Sequence, residues 1–383
     1  MSLSVAIIGA GMGGLAAAAA LRRVGCEVRV YEQARRFARI GAGIQMLPNS
    51  MKVLRGLGLE ERLRSSAFAP RSHLNREWGS GGIVAELPMP EERYGAPYLC
   101  MHRGDLHEAL LSLVPAELVH LNKQLTGLEQ MDGRVVLAFA DGSRASAELV
   151  VGADGVHSTV RDLLFGAEKP IHRGRVAYRA VFPASLVGRD LGRSRTKWWG
   201  PDRHIVTYYT KRSCDEVYFV TSQPEPVEWM TRESWSAKGD VRELRAAFAG
   251  FHPDVRAVLE GCPDCHKWAI LERDPMRSWS DGRVALLGDA CHPMTPYMAQ
   301  GAATAIEDAA VLARSIEEYQ DLGAALERYE AHRKPRTSRI QAISSANTWM
   351  RAQEPDTDWL YGYDAWTVPL AGVIAGKSNM SVD

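Results

Sequence analysis

Short apolar runs recur along this chain, and each ends on a glycine or an acid: Val5-Ala6-Ile7-Ile8 before Gly9, Val28-Arg29-Val30-Tyr31 before Glu32, Leu149-Val150-Val151 before Gly152, and Val284 to Leu287 before Gly288. Runs this short, rich in β-branched residues and with little polar alternation, predict strands buried on both faces. Helical spacing predicts helices over Leu15–Leu21, Pro48–Leu57, Asp105–Leu113, Val156–Leu164, Val241–Glu260, Gly301–Tyr319 and Ala324–Met350. Leu125–Gln130 and Val135–Phe139 flank Asp132-Gly133, with Asp141-Gly142 closing the second run, and both dipeptides are strong hairpin-turn signals. Between about 176 and 220 the texture changes to alternating aromatic and β-branched residues, among them Trp198, Trp199, Tyr208, Tyr209, Tyr218 and Phe219, which predicts a second sheet. The expected fold class is α/β, a Rossmann-like nucleotide-binding domain with an inserted β-sheet domain and C-terminal helices.

The glycines carry the first chemical information. Gly9, Gly11 and Gly14 follow a buried strand and open a helix, the order in which a side-chain-free turn lets backbone approach a pyrophosphate at a helix N-terminus. Glu32 ends the next strand, where an acid can accept hydrogen bonds from ribose hydroxyls. Gly152-Ala153-Asp154-Gly155 and Gly288-Asp289 end two further strands that suit the same cofactor, although most of the chain separates Gly9 from Asp289. The nucleotide domain is therefore expected in three pieces, 1–70, 98–170 and 272–320, with a substrate domain from 71–97 and 171–271 and a helical segment over 321–383.

Composition narrows the class. The chain has 383 residues, 46% of them hydrophobic, and its 46 basic and 46 acidic residues cancel, so nothing favours nucleic acid or an anionic membrane as partner. The apolar N-terminus lacks a basic leading segment and is interrupted by the fingerprint glycines, and no other run is long enough to span a bilayer, so a cytoplasmic protein is expected. Cys262-Pro263-Asp264-Cys265-His266 matches a haem-attachment pattern and half a zinc site, but the other four cysteines are scattered singly. A turn with two ordinary thiols, and no metal, is the expectation.

Taken together, Gly9-x-Gly11-x-x-Gly14, Asp154-Gly155-Val156-His157-Ser158-x-x-Arg161 and Gly288-Asp289-Ala290-x-His292-Pro293 resemble the single-component FAD-dependent aromatic hydroxylases, the class that includes 4-hydroxybenzoate and salicylate hydroxylases. The segments Lys197-Trp198-Trp199, Asp202-Arg203-His204, Tyr208-Tyr209-Thr210, Asn347-Thr348-Trp349 and Tyr361-Gly362-Tyr363-Asp364 are similar to the hydroxynicotinate-hydroxylating branch of that class. The resemblance implies noncovalent FAD, NADH as co-substrate, and transfer of one oxygen atom of O2 from a flavin hydroperoxide to a small aromatic acid. It implies FAD contacts from Gly9, Gly11, Gly14, Leu15, Glu32, Gln33, Arg103, Leu125, Asp154, Asp289, Pro293, Gly301 and Ala302, with Asp154 also linked to NADH. A monomer or homodimer is expected.

Such chemistry needs a group that takes or orients a phenol-type proton. His204 and Tyr208 stand four apart on an expected strand and so face the same side, which makes them the candidate catalytic pair. Trp199, Gln45 and Tyr297 are expected around the substrate. Where the hydroxynicotinate branch carries histidines at the last two positions, this chain has side chains that hydrogen-bond but do not titrate as imidazole does. Ordinary ring hydroxylation of another hydroxylated aromatic acid therefore stands beside decarboxylative hydroxylation. A flavin reductase or oxidase would not need the middle Asp154 motif, and a nicotinamide dehydrogenase would need only the first fingerprint.

Overall fold

The computed structural model describes residues 2–39, 41–225, 237–347, 349 and 356–370. Its first sheet has six strands. Ser4–Ile8 lies at the centre, parallel to Leu149–Gly152 on one side and to Glu27–Tyr31 on the other. Val284–Leu286 and Val119–His120 extend the parallel order outward, and Ser280–Asp281 adds an antiparallel edge. Ser4–Ile8 and Leu149–Gly152 show no hydrophobic alternation because both of their faces are covered, whereas Glu27–Tyr31 alternates with Glu27 and Arg29 exposed; helices pack on this sheet. One is Met12–Arg23, whose run Ala16–Ala20 is buried and packs closely against the helix Gly301–Glu318. Small side chains make that approach possible: a methyl added at Gly13 would lie 3.0 Å from the Ala305 methyl.

The second sheet has eight strands, in the order Lys238–Gly239, Cys265–Glu272, Ile171–Pro183, Glu216–Pro224, His204–Tyr209, Arg195–Trp199, Ser72–Glu77 and Ile83–Pro88. Its pairs are antiparallel except Arg195–Trp199 with Ser72–Glu77, which run parallel and bring Arg195 opposite His73. Register sets His204 between Trp199 and Ser222, and Tyr208 beside Tyr218. One face of this sheet meets the nucleotide-binding part. The other is covered by two short helices, where His252 stacks on Trp198 with centroids 4.9 Å apart. All six residues of His204–Tyr209 are consequently buried.

Several expected elements differ in extent. The helix expected over Val241–Glu260 is two, Val241–Ala247 and Pro253–Gly261. Gly250 packs under Trp78 between them, and Pro253, which lacks an amide hydrogen, opens the second. The helix expected from Val156 starts at Thr159 because Ser158 caps it, accepting from the Arg161 N–H. The last long helix runs Leu322–Ala346, capped by Asp321 and ended by Asn347 in the left-handed conformation. Its expected end at Met350, and Thr348 and residues 371–383, lie outside the described residues. Among the described residues no helix is long and apolar enough to cross a membrane.

Candidate active site

The fingerprint turn is held by contacts that only glycine allows. Gly9 has φ of +101°, and a methyl on Gly14 would lie 2.0 Å from the Gly9 carbonyl oxygen. At Gly11 an added methyl meets nothing within 4 Å. Gly11 caps the helix Met12–Arg23 with no side-chain hydrogen bond and no acid in the first turn, so the amide-rich helix end opens onto free space. A cavity of about 230 Å³ adjoins it, lined among others by Gly9, Gly11, Glu32, Gln33, Leu125 and Asp154. Leu15 is placed otherwise. Its side chain is fully buried in the core and its N–H bonds to the Gly11 carbonyl, so it supports the turn from behind.

Two of the acids are occupied by hydrogen bonds within the protein. Glu32 accepts from Ala10 N–H and Ala34 N–H, each at 2.8 Å, and so ties the glycine turn to the loop after the second strand. Asp154 accepts from the Ser158 hydroxyl and from Val160 N–H at 3.1 Å. Burial raises its carboxyl above the ordinary value, an effect those hydrogen bonds partly offset.

Arg103 and Asp289 are both exposed by area although protein surrounds them closely enough to lower the arginine and raise the acid. Such a combination marks the wall of a crevice. Each side chain feels the other's charge, and Gly301, the first residue of the helix Gly301–Glu318, lies 3.8 Å from Asp289 Oδ1 when given a methyl. Ala302 is partly exposed beside it, and Ala299 just before is left-handed at φ +55°. Pro293 is buried, its carbonyl accepting from Gln341 Nε2 at 3.1 Å. These features fit a bound FAD: an open helix start for the pyrophosphate, a crevice for the chain beyond it, and a second helix start at its far end.

The expected substrate residues form two groups on one face of the eight-stranded sheet. In the first, His204 lies against Trp199 and Tyr297, with ring centroids at 5.2 and 5.4 Å. The Tyr297 hydroxyl and Ser222 Oγ are 3.0 Å apart, and a cavity of about 280 Å³ adjoins them, edged by Arg175 and Asn347. In the second, the Tyr98 hydroxyl donates to Gln45 Oε1 at 2.5 Å and Tyr208 packs on Tyr218 at 5.0 Å. Burial raises the Tyr208 phenol well above its ordinary value, so it stays protonated and offers a donor. The two groups are joined by the paired strands His204–Tyr209 and Glu216–Pro224.

Three buried cations on this face, Arg179, Arg195 and Lys197, were not among the site residues expected from the sequence. The signal was present: Arg195-x-Lys197 puts two cations on one side of a strand that ends Trp198-Trp199. The thiols of Cys262 and Cys265 are buried, and burial pushes them up to about 12 and about 11, which fits two ordinary thiols. Cys291, His292 and Asp308 approach one another closely enough to hold a metal. Arg333 and Gly288 already occupy that carboxylate, which fits a structural role.

The chain thus carries a glycine-turn cavity at a helix start and a second cavity lined by Trp199, His204 and Tyr297. Residues 2–344 match the family model described as FAD binding domain, and the chain belongs to that family, the FAD-dependent aromatic hydroxylases. It is 48% identical over 372 residues to 6-hydroxynicotinate 3-monooxygenase of Bordetella bronchiseptica, covering 96% of each chain. The Pseudomonas fluorescens protein of the same name is 44% identical, and 3-amino-4-hydroxybenzoate 2-monooxygenase of Streptomyces cremeus 37% identical, over 96% and 95% of this chain and 96% of each relative. Among solved structures, Klebsiella pneumoniae HpxO complexed with FAD and uric acid superposes with a TM-score of 0.81 at 28% identity, covering 94% of this chain and 92% of that one.

Proposed function

We propose that this protein uses NADH and O2 to hydroxylate 6-hydroxynicotinate with loss of its carboxyl group. The balance is 6-hydroxynicotinate anion, NADH, O2 and two protons giving 2,5-dihydroxypyridine, CO2, NAD+ and water. Bound FAD supplies the redox chemistry and delivers the oxygen atom. Gly9, Gly11 and Gly14 would seat its pyrophosphate, Glu32, Gln33 and Leu125 its adenosine end, and Arg103, Asp289, Pro293, Gly301 and Ala302 the remainder. Asp154, held at the cleft wall, would serve the side from which NADH approaches.

The protein's own part is to hold the ring, exclude water and manage one proton. The ring hydroxyl para to the carboxyl must give up its proton for electrons to flow toward the carbon attacked. His204 would take or orient that proton, and Tyr208, a phenol at working pH, would donate a hydrogen bond to the resulting oxygen. Trp199 and Tyr297 would hold the ring, with Gln45 polar at the inner end. One observation carries the reading: a methyl on Gly43 would sit 2.8 Å from the Tyr208 hydroxyl, so the proton-handling residue abuts the strand Gly43–Met46 that leads to the cleft.

Gln45 and Tyr297 also support a second reading, ring hydroxylation of a related hydroxylated aromatic acid with its carboxyl retained. Incubation with carboxyl-labelled 6-hydroxynicotinate and NADH separates the two. Labelled CO2 with 2,5-dihydroxypyridine is the expected outcome, and a carboxyl-retaining product would favour the second.

A further inference from the structure

Of the three cations on the substrate face, two have visible partners. Lys197 Nζ lies 3.6 Å from the Trp199 ring centre and 3.4 Å from Asn347 Oδ1, and Arg179 lies over Trp268 at 4.3 Å. Arg195 differs. It is 6% exposed, its Nε has no hydrogen-bond partner, and among the described residues no carboxylate pairs with it. Directly opposite, His73 is 3% exposed with both ring nitrogens unpartnered, stacked on Tyr98 at 4.6 Å. The groups that feel the Arg195 charge are His73, Tyr98, Cys100, Tyr208 and Tyr361. Burial keeps each of them in its neutral form, so none supplies a counter-charge.

A buried guanidinium without an anion is costly, and so is a buried imidazole with no hydrogen bond. Two such neighbours on the wall of the Tyr208 group point to a ligand that completes them. We propose that Arg195 is the substrate's anion anchor, its guanidinium receiving an anionic oxygen of the aromatic ligand beside Tyr208 and Gln45. Arginine suits the task because it stays charged when buried and its planar fork can hold two oxygens. The inference rests on the hydroxylated aromatic acid reading above. It deepens that reading by giving the ligand an orientation, with one anionic substituent at Arg195 and the ring reaching back toward His204. That oxygen can come from the carboxylate or from the deprotonated ring hydroxyl.

The test is titration of FAD-loaded wild-type, Arg195→Met and Arg195→Lys proteins, following the flavin absorbance change with three ligands: 6-hydroxynicotinate, 6-hydroxynicotinamide and nicotinate. Arg195→Met is expected to weaken 6-hydroxynicotinate binding on the order of tenfold to a hundredfold, with FAD content unchanged and Arg195→Lys intermediate. If nicotinate weakens in parallel and the amide does not, the anchor holds the carboxylate. If the amide weakens and nicotinate does not, it holds the ring oxygen. Equal weakening of all three, or none, overturns the proposal. Should Arg195→Met fail to fold, the Lys variant decides: weaker 6-hydroxynicotinate binding shared by only one of the two analogues supports the anchor, and unchanged affinity for all three ligands overturns it. Should wild type bind none of the three but bind 3-hydroxybenzoate, the hydroxynicotinate reading fails by itself. The same comparison with 3-hydroxybenzoate, its amide and benzoate then decides the role of Arg195.

Discussion

Asp308 and Arg333 are joined at 2.7 Å with neither side chain exposed, and the pair holds the cofactor turn in place. The same carboxylate accepts from Gly288 N–H at 3.1 Å and from His292 Nε2 at 2.6 Å, so one acid secures both ends of the Gly288-Asp289 turn. Glu307 joins from the next position, pairing with Arg333, Arg336 and Asn49. His292, prominent in the sequence motif, thus serves to set Asp289 on the crevice wall.

Asp308→Asn should destabilise the protein by about 3 kcal/mol, the lower end for breaking a buried pair, because Glu307 still neutralises Arg333. FAD retention should fall with it. Urea unfolding and flavin content of the purified variant measure both effects, and a loss below about 1 kcal/mol would show that the pair is not coupled to stability.

The acid limb of stability follows from the same residues. Burial raises the Glu307 and Asp308 carboxyls, but Arg336 and Arg333 facing the first, and His292 and Arg333 facing the second, outweigh it and hold both below the ordinary value. A depressed folded pKa gives stability that is present above the unfolded value of about 4 and is lost as pH falls through the folded one. Melting temperature should therefore drop steeply below about pH 4 in wild type. The drop should be shallower in Asp308→Asn, which has one fewer carboxylate to protonate.

The two fingerprint glycines should fail differently. Gly14→Ala forces a methyl to within 2.0 Å of the Gly9 carbonyl and should cost about 1–3 kcal/mol of fold stability as well as FAD. Gly11→Ala meets no protein atom and should leave the apoprotein's melting temperature unchanged while weakening FAD, because its methyl enters the space proposed above for the phosphates. Thermal melts of apoprotein with FAD titrations separate the cases, and tight FAD binding by Gly11→Ala would place the pyrophosphate elsewhere.

Tyr208→Phe removes one hydroxyl from the substrate pocket and none from the cofactor crevice. Hydroxylation should fall on the order of a hundredfold with FAD content unchanged. Product formation per NADH consumed is the sensitive readout, and a fully active variant would remove Tyr208 from the proton route.

The FAD should be noncovalent. Acid precipitation is expected to leave the yellow chromophore in the supernatant, and colour in the pellet would contradict the reading.

The amino-acid sequence by itself determined the local elements: the apolar runs that became central strands, the glycines at 9 and 14, and the two-residue periodicity that set His204 and Tyr208 on one face. These were legible because the cause of each lies within a few residues, in backbone conformation or side-chain alternation. The break between Ala247 and Pro253 was missed although its signals were local, because helical spacing on either side ran through them. Tertiary structure alone decided that Leu15 faces the core, that backbone amides occupy Glu32, that Ser158 and an amide occupy Asp154, and that His292 binds Asp308. It also set Arg195 against His73, since that contact comes from parallel pairing of two strands more than a hundred residues apart, and nothing in either strand names its partner. Whether a buried cation finds a counter-charge depends on every chain segment that surrounds it, so it is readable only after folding has brought those segments together.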